Sequence, residues 1–322
     1  MRLPIDVRDL VKAGSKIQET REKTVRIAVF VELDAPDELV EVVRDRLHPF
    51  TAGARLHIEV VEPGVELLVD PAADVLVAVV GSGRTGIAQQ LETARERAVP
   101  TVVIALSEEI GPVADVLGHP YRDTLVSTDS EELVDEKLGE WLVDRIPAKR
   151  LALAHNFTFM RRAVAIEAVK ATALQNGLIG AVAVIPGADM PLMTANQTKM
   201  LLQVAAAYGE KLGVERWREL AAVIGGGFVM RGVARQFLSF VPGFGWAVKG
   251  GIGATGTLAM GYAVVSYFEG SADTSGLTER FERMKGQVTA SIRERTQRPK
   301  AGQTPAIVDA SVPAEETFAG DA

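Results

Sequence analysis

DVLVAVVGSGRTGIAQQLETARERAVPTVVIAL, residues 74–106, decides the fold class of this chain. Two continuous apolar runs, residues 74–80 and 101–106, flank a segment of helical spacing over residues 87–97. Strands that are apolar on both faces are typical of parallel sheets, because helices cover both sides of such sheets. The stretch therefore predicts a strand, helix and strand of a layered α/β domain.

The same alternation continues upstream of this unit. Residues 24–33 form a β-rich run, and residues 35–47 follow it with helical spacing and a proline in the first turn. Residues 56–61 and 65–69 are two further apolar runs, and Pro63-Gly64 between them is a turn signal. This pattern predicts a β-hairpin.

Downstream, residues 124–127 predict a short last strand, and residues 130–146 carry apolar positions at helical spacing that would cover the sheet. The predicted order is then β, α, β-hairpin, β, α, β, α, β, α. Such an order predicts a three-layer α/β domain over residues 24–147.

The strand signals stop beyond Pro147, and the rest of the chain predicts helices. Residues 149–176 read as one long helix that ends at Asn176-Gly177, a typical C-cap. A second helix is predicted over residues 191–212, and residues 148–270 together predict an all-α domain. Amphipathic helical spacing also marks residues 1–23 and 271–298, whereas residues 299–322 have the composition of a disordered tail.

One polar cluster interrupts the apolar sequence of the predicted all-α domain. It consists of Asp189, Thr194, Asn196 and Gln197. A ligand or partner site is one interpretation of this cluster. A helix cap combined with hydrogen bonds between helices is the other.

Residues 250–268 form a charge-free run of nineteen residues, which is about the length that spans a bilayer. Five of the nineteen are glycine, and glycine weakens a helix by roughly 0.8 to 1 kcal/mol relative to alanine. Gly253, Thr257 and Gly261 form a stripe of small residues that permits close helix packing in lipid or in a bundle. We expect a helical bundle at, or partly inserted in, the cytoplasmic face of a membrane, with a fully soluble bundle as the alternative.

Charge is distributed unevenly along the chain. Residues 1–150 hold 18 basic and 28 acidic groups, a net charge of −10, whereas residues 151–268 hold 10 basic and 5 acidic groups, a net charge of +5. The acidic first half argues against nucleic acid as a partner, because phosphate binding requires clustered Lys and Arg. The basic second half suits an anionic membrane surface or docking onto an acidic protein surface.

The sequence carries few signals of catalysis. The chain contains no cysteine, which excludes thiolate nucleophiles and thiolate metal sites. Its four histidines are far apart and none falls in a metal-ligand spacing. The first residues lack the apolar core of a secretory signal, so we expect a cytoplasmic location. We therefore predict no cofactor and no metal.

Two longer stretches carry a family resemblance. They are IPGADMPLMTANQTKMLLQVAAAYG, residues 185–209, and FVPGFGWAVKGGIGATGTLAMGYAVVSYFE, residues 240–269. The pair resembles the YcjF-like helical domain, a bacterial domain of unknown function. This domain often follows GTP-binding domains of the translation-factor class and is often predicted to touch the membrane.

The element order of residues 24–147 in turn resembles such a GTP-binding domain, that is, a P-loop-type fold. The motifs that define its activity are missing. After the first strand the chain reads VELDAPDELVEVV, residues 31–43, which offers no glycine or lysine for phosphates and instead places Glu32 and Asp34 there. Asp70 falls where the family has its magnesium-linked Asp, but the glycine that should follow is replaced. The resemblance thus implies a degenerate, non-hydrolysing domain.

A glycine motif remains as a candidate nucleotide site. Gly81, Gly83 and Gly86 match G-x-G-x-x-G between a predicted strand and a predicted helix, and Arg84 lies within the motif. A permissive glycine turn is the competing interpretation, because the dinucleotide motif normally follows the first strand of its fold. An unconventional nucleotide site would combine this turn with Asp70.

Two functional classes follow from the sequence. The first is a non-catalytic, membrane-associated interaction or scaffold protein that binds a protein partner or a second copy of itself. The second is a nucleotide-binding or GTP-hydrolysing switch that uses the unconventional site.

Overall fold

The structure, a computed structural model, describes residues 7–62, 64–65, 69–84, 86–118, 125–127, 131–182, 190–210 and 246–270. The strands are β1 (Val25–Glu32), β2 (Ala54–Val61), β3 (Val75–Val79), β4 (Thr101–Ala105) and β5 (Leu125–Ser127). The helices are α1 (Val7–Arg21), α2 (Asp37–Arg46), α3 (Ile87–Glu96), α4 (Ile110–Leu117), α5 (Glu131–Arg145), α6 (Arg150–Asn156), α7 (Met160–Val182), α8 (Met190–Ala207) and α9 (Trp246–Glu269).

The five strands form one parallel sheet in the order β2-β1-β3-β4-β5. The predicted α/β layering is therefore confirmed, as is the change to helices after the sheet. This order is one of the two common orders of doubly wound sheets. Because β2 and β3 lie on opposite sides of β1, the chain reverses its direction of travel across the sheet after β2.

The described residues do not form the predicted β-hairpin, and residues 66–68 of its second strand lie outside them. β2 pairs in parallel with β1, from Val25 opposite Ala54 to Glu32 opposite Val61. Val65 and Val69 lie outside the strands of the sheet. The signalled turn is present, since Val65 N donates to the Glu62 carbonyl at 3.2 Å. The chain crosses β1 between β2 and β3, and parallel strands need such a crossover.

Both faces of the sheet are buried along β1, β3 and β4, and the continuous apolar runs predicted this for β3 and β4. Along β1, Ile27 and Val29 belong to one buried apolar cluster, and Ala28 and Phe30 belong to another. Successive side chains of a strand point to opposite faces, so each cluster marks one face. Helices α2 and α5 contribute to the first cluster, and α3 and α4 contribute to the second.

The first cluster does not stop at the helix that covers the sheet. It runs from the strands through Leu138 of α5 to Met160 and Val169 of α7, and on to Leu258 of α9. The sheet and the helical region therefore share one continuous apolar core. The predicted boundary between residues 147 and 148 falls in a short 3-10 turn, Pro147–Lys149, that lies beside this core.

The predicted single helix over residues 149–176 is interrupted. It begins as α6, breaks after Asn156, and resumes as α7, which continues past Asn176 to Val182. Asn156 is fully buried, its Oδ1 accepts a hydrogen bond from Thr51 Oγ1 at 2.6 Å, and its backbone carbonyl accepts one from Phe50 N at 2.6 Å. This residue thus fixes the end of α6 against the loop that precedes β2.

The junction is also held at the amino ends of the strands. The Lys149 ammonium group lies 2.6 Å from Asp74 Oδ1 and donates a hydrogen bond to the Thr24 carbonyl at 2.8 Å. The Asp74 carboxylate in turn accepts from Arg26 N. One ion pair therefore joins the start of the helical region to β1 and β3.

Helix α1 confirms the predicted helical character of the first segment and packs on α6 and α8. At its end Arg21 is buried and donates hydrogen bonds to His155 Nδ1 at 3.1 Å and to the carbonyls of Gly209 and Glu210. Burial and, to a smaller extent, the charge of Arg21 lower the pKa of His155. The neutral ring can then accept the hydrogen bond from Arg21 at its Nδ1 atom. Arg21 thereby ties α1 to the carboxyl end of α8.

Helix α9 lies against α7 along the predicted stripe of small residues. A Cβ atom on Gly253 would lie 2.6 Å from Met193 Cε and 2.9 Å from the Asn176 carbonyl oxygen. A Cβ atom on Gly261 would overlap both methyl groups of Val169. The stripe is confirmed as a close-packing surface, and its partners are helices of this chain.

None of the helices in the described ranges combines the length and apolarity needed to cross a bilayer. The charge-free run of residues 250–268 lies within α9. The predicted helix over residues 271–298 and the predicted tail over residues 299–322 lie outside the described residues.

Close packing of α9 on α7 predicts that Gly261→Ala lowers the free energy of unfolding. A helix gains about 0.8 to 1 kcal/mol from a Gly-to-Ala change, but overpacking a filled site costs about 1 to 3 kcal/mol. We expect a net loss of about 1 to 2 kcal/mol in urea unfolding.

Gly14→Ala in α1 is the matched control, because a Cβ atom there meets nothing within 4 Å. It should stabilise the protein, and Val169→Ala combined with Gly261→Ala should recover part of the loss. Equal stabilisation by the two glycine substitutions would contradict the close packing.

Candidate functional site

The carboxyl ends of β1 and β3 form the place where a doubly wound sheet normally binds its ligand. The chain leaves β1 toward α2 on one face and leaves β3 toward α3 on the other face. In open α/β sheets, such a divergence opens a crevice outside the carboxyl ends of the strands. The glycine motif directly follows β3, so the fold brings it to this crevice.

In this protein the crevice is occupied by a side chain of the protein itself. Glu32, the last residue of β1, is only 1% exposed. Its Oε2 atom accepts hydrogen bonds from Gly81 N at 3.0 Å and from Gly83 N at 2.8 Å. In a dinucleotide site the backbone N–H groups of such a loop bind phosphate oxygens. Here a carboxylate oxygen takes that role.

The backbone after β1 closes the crevice further. A Cβ atom on Gly81 would overlap the backbone carbonyl of Asp34 and would lie 2.8 Å from its Oδ1 atom. Glycine is required at this position because the two backbone segments approach so closely. A ligand phosphate that approached Gly81 would meet Asp34 as well as Glu32.

The other two glycines have conformational reasons to be there. Gly83 and Gly86 adopt φ values of +73° and +105°, which side chains rarely tolerate. Gly86 is the N-cap residue of α3. The motif thus matches the interpretation of a glycine turn that links β3 to α3 at close quarters.

The remaining residues of the predicted nucleotide site are not assembled. Arg84 is exposed, and its backbone N–H donates to Ser82 Oγ at 3.2 Å. Asp70 is exposed and accepts from Ala72 N at 2.8 Å in a local turn. This turn precedes the amino end of β3, whereas the glycine motif follows its carboxyl end.

Five strand residues, roughly 16 Å of extended chain, therefore separate Asp70 from the glycine motif. The Val69 carbonyl accepts a hydrogen bond from Arg97 at the carboxyl end of α3. Asp70 therefore lies at the opposite end of the strands from the glycine motif. The structure therefore does not bring Asp70 and the glycine motif together.

The predicted polar cluster in the helices is a hydrogen-bond network. Thr257 Oγ1 of α9 accepts from Asn176 Nδ2 of α7 and from Gln197 Nε2 of α8, each at 3.0 Å, and donates to the Gly253 carbonyl at 2.8 Å. Asn196 Nδ2 donates to Asn176 Oδ1 at 3.0 Å. Three helices thus meet at a single hydroxyl group, which fixes how they are aligned along their axes.

This arrangement places two of the four predicted cluster residues, Asn196 and Gln197, in the network. Thr194 instead donates to the Met190 carbonyl of its own helix, and Asp189 lies outside the described residues. Asn176 and Thr257 are fully buried members that the sequence interpretation missed. Because the network consists of side chains that bind each other, it supports the interpretation of hydrogen bonds between helices.

No group of three or more His, Asp or Glu side chains within the described residues could hold a metal ion. Among the candidate residues, the glycine motif makes the best-defined interaction. Its backbone N–H groups bind the carboxylate of Glu32, a residue of the same chain. A site of this kind holds the loop after β3 in place and has its amides already paired.

Comparisons of the chain with protein-family models, with curated proteins and with solved structures find no match. The resemblance to the YcjF-like domain and to GTP-binding domains accordingly stays a prediction from the sequence.

The role of Glu32 predicts a large difference between two substitutions at that position. Glu32→Ala should lower the free energy of unfolding by about 2 to 4 kcal/mol, because two buried N–H donors lose their charged acceptor. Glu32→Gln keeps an oxygen acceptor and should cost about 1 kcal/mol. Urea unfolding at neutral pH measures both values.

Glu41→Ala on the exposed side of α2 is the control and should change the stability by less than about 0.5 kcal/mol. If Glu32→Ala unfolded with the same free energy as the unsubstituted protein, the carboxylate would not be what holds the glycine loop.

Proposed function

We propose that this protein is a non-catalytic interaction or scaffold protein that associates with membranes. The α/β region is a degenerate GTPase-like domain in this proposal, and the helical region is YcjF-like. Both finer assignments rest on the sequence resemblance. The observation that carries the non-catalytic role is the hydrogen bonding of Gly81 and Gly83 to the Glu32 carboxylate.

Electrostatics favours the same conclusion. A triphosphate in the crevice would have to displace the Glu32 carboxylate from both backbone amides and approach Asp34. Like charges at close range in a buried site repel each other strongly. Arg84, the basic residue of the glycine motif, is exposed, and its backbone N–H donates to Ser82 Oγ. The nucleotide-switch alternative therefore has no specific observation in its favour.

The membrane part of the proposal rests on one end of the helical region. α7 ends at Val182 and α8 begins at Met190, and Gly253 of α9 contacts Met193 at this same end. Met190 and Leu192 are exposed here, Leu192 by 55%. Together with the net charge of +5 over residues 151–268, exposed apolar side chains favour an anionic lipid surface as the partner.

The first test is nucleotide binding. We expect that fluorescent GTP and ATP analogues, with or without Mg²⁺, show no saturable binding with a dissociation constant below about 1 mM, which corresponds to about −4 kcal/mol. Saturable binding at micromolar concentration that Arg84→Ala abolishes would overturn the non-catalytic proposal and support the nucleotide switch.

The second test is sedimentation with vesicles that contain phosphatidylserine and phosphatidylcholine. The protein should pellet with these vesicles, and high salt should release part of it, because charge contributes about 1 kcal/mol for each Lys or Arg near the surface. Leu192→Glu should reduce the pelleted fraction several-fold, because it places a charge on the lipid-facing end.

Tyr267→Glu is the matched control. Tyr267 is 64% exposed, but it lies at the opposite end of α9, where Phe268 stacks on Tyr208 at the end of α8. It should leave vesicle binding unchanged. Complete recovery of the unsubstituted protein in the supernatant at physiological salt would contradict the membrane role.

A further inference from the structure

Among the described strands, β2 lies at an edge of the sheet, with β1 on one side. Edge strands present unpaired backbone N–H and C=O groups, and proteins usually protect such edges with charges, prolines, bulges or very short strands. β2 is eight residues long, pairs with β1 in unbroken register and contains no proline. It therefore has the length and regularity that strand pairing requires.

The hydrogen bonds to β1 show which backbone groups of β2 point outward. Val25 N donates to the Gly53 carbonyl at 3.0 Å. Because neighbouring residues of a strand point their backbone groups to opposite sides, Arg55, His57 and Glu59 direct theirs to β1. Leu56, Ile58 and Val60 then direct theirs away from the sheet. They form the edge at which another strand could pair.

This edge also exposes apolar side chains. Ile58 is 55% exposed and Val60 is 51% exposed, although both are β-branched residues on a regular strand. Leu56, on the same face, is partly buried against the core of the sheet. A second strand beside β2 would extend that core and cover the exposed part of Ile58 and Val60.

The charges of β2 select the partner. Arg55, His57 and Glu59 lie on the opposite face of the strand, and within one copy His57 and Glu59 are hydrogen-bonded. In an antiparallel pairing of two β2 strands around a two-fold axis at His57, Arg55 of each copy lies opposite Glu59 of the other. The same register places Leu56 opposite Ile58.

Neighbouring registers are less favourable. An axis at Leu56 would set Arg55 opposite His57, and an axis at Glu59 would set two Glu59 side chains against each other. An axis at Ile58 would set His57 opposite Glu59, but it would leave Arg55 opposite the buried, apolar Val61. Charges of opposite sign that face each other on neighbouring strands stabilise a sheet, and like charges destabilise it. The axis at His57 is therefore preferred.

We propose that two copies of this chain form a symmetric dimer through antiparallel β2–β2 pairing centred on His57. The pairing joins the two five-stranded sheets into one continuous sheet. The two-fold axis brings the amino end of one β2 beside the carboxyl end of the other. Phe50, 70% exposed, precedes β2, and the exposed Val65 follows it.

These two flanking residues extend the apolar contact beyond the paired strands. Such an extension matters, because a stable interface buries about 800 Å² on each partner, more than two edge strands alone supply. The proposal is independent of nucleotide or lipid binding, so its test does not depend on the function proposed above.

The test is sedimentation velocity of the full chain over a range of concentrations. We expect the unsubstituted protein to sediment as a dimer at high micromolar concentration. Arg55→Glu should raise the dissociation constant roughly tenfold or more, because each altered pair occurs twice across the axis. Glu59→Arg should have the same effect, and the double swap, Arg55→Glu with Glu59→Arg, should restore the dimer.

Ile58→Lys should also give monomers, since a lysine at an edge strand opposes pairing. Val116→Lys is its control, because Val116 is exposed on α4, away from β2. Circular dichroism of each variant at low concentration checks that the monomer is folded. A monomeric unsubstituted protein, a dimer unaffected by Ile58→Lys, or a double swap that fails to restore the dimer would each overturn the proposal.

Discussion

A parallel sheet has to be covered on both faces, and the way this chain meets that requirement determines most of its architecture. α3 and α4 cover one face within the α/β region. The other face is covered by α2 and α5, and behind α5 the same apolar cluster continues into α7 and α9. The helical region thus continues the layer of helices that covers this face of the sheet. The Lys149–Asp74 ion pair and the hydrogen bonds of Asn156 hold the helical region against the sheet.

At the crevice beyond β1, a side chain of the protein occupies the place where doubly wound sheets bind ligands. The amides of Gly81 and Gly83 still point where a phosphate would bind, and a buried carboxylate needs donors of this kind. Glu32 and the glycine loop therefore stabilise each other. The loop after β3 is thereby fixed without any bound molecule.

The sequence predicted those parts of the structure that depend on local patterns. Continuous apolar runs predicted the buried strands, and the spacing of Gly253, Thr257 and Gly261 predicted the packing face of α9. The prediction failed where a distant partner decides the outcome. Asn176 resembles a C-cap when only its neighbours are considered, but in the structure it lies inside α7 because Thr257 and Asn196, from two other helices, bind its amide.

The sequence showed Glu32 as an acidic residue near the end of the first strand. It could not show that the carboxylate binds Gly81 and Gly83, 49 and 51 residues away. Likewise, Pro63-Gly64 signals a turn wherever it occurs, and only the strand order shows that the chain crosses β1 there. Asp70 was matched by its position in a motif, but it lies in a turn before the amino end of β3, whereas the glycines follow the carboxyl end.

The hydrogen bonds that Arg21 makes to distant parts of the chain affect the order in which the helices dock during translation. Arg21 binds His155, 134 residues later, and the carbonyls of Gly209 and Glu210, 188 and 189 residues later. α1 leaves the ribosome long before these partners exist, and contacts between residues so far apart in sequence form late. Among the described helices, α1 is therefore one of the last to dock. Until then its buried face, including Ile17, is open to chaperones.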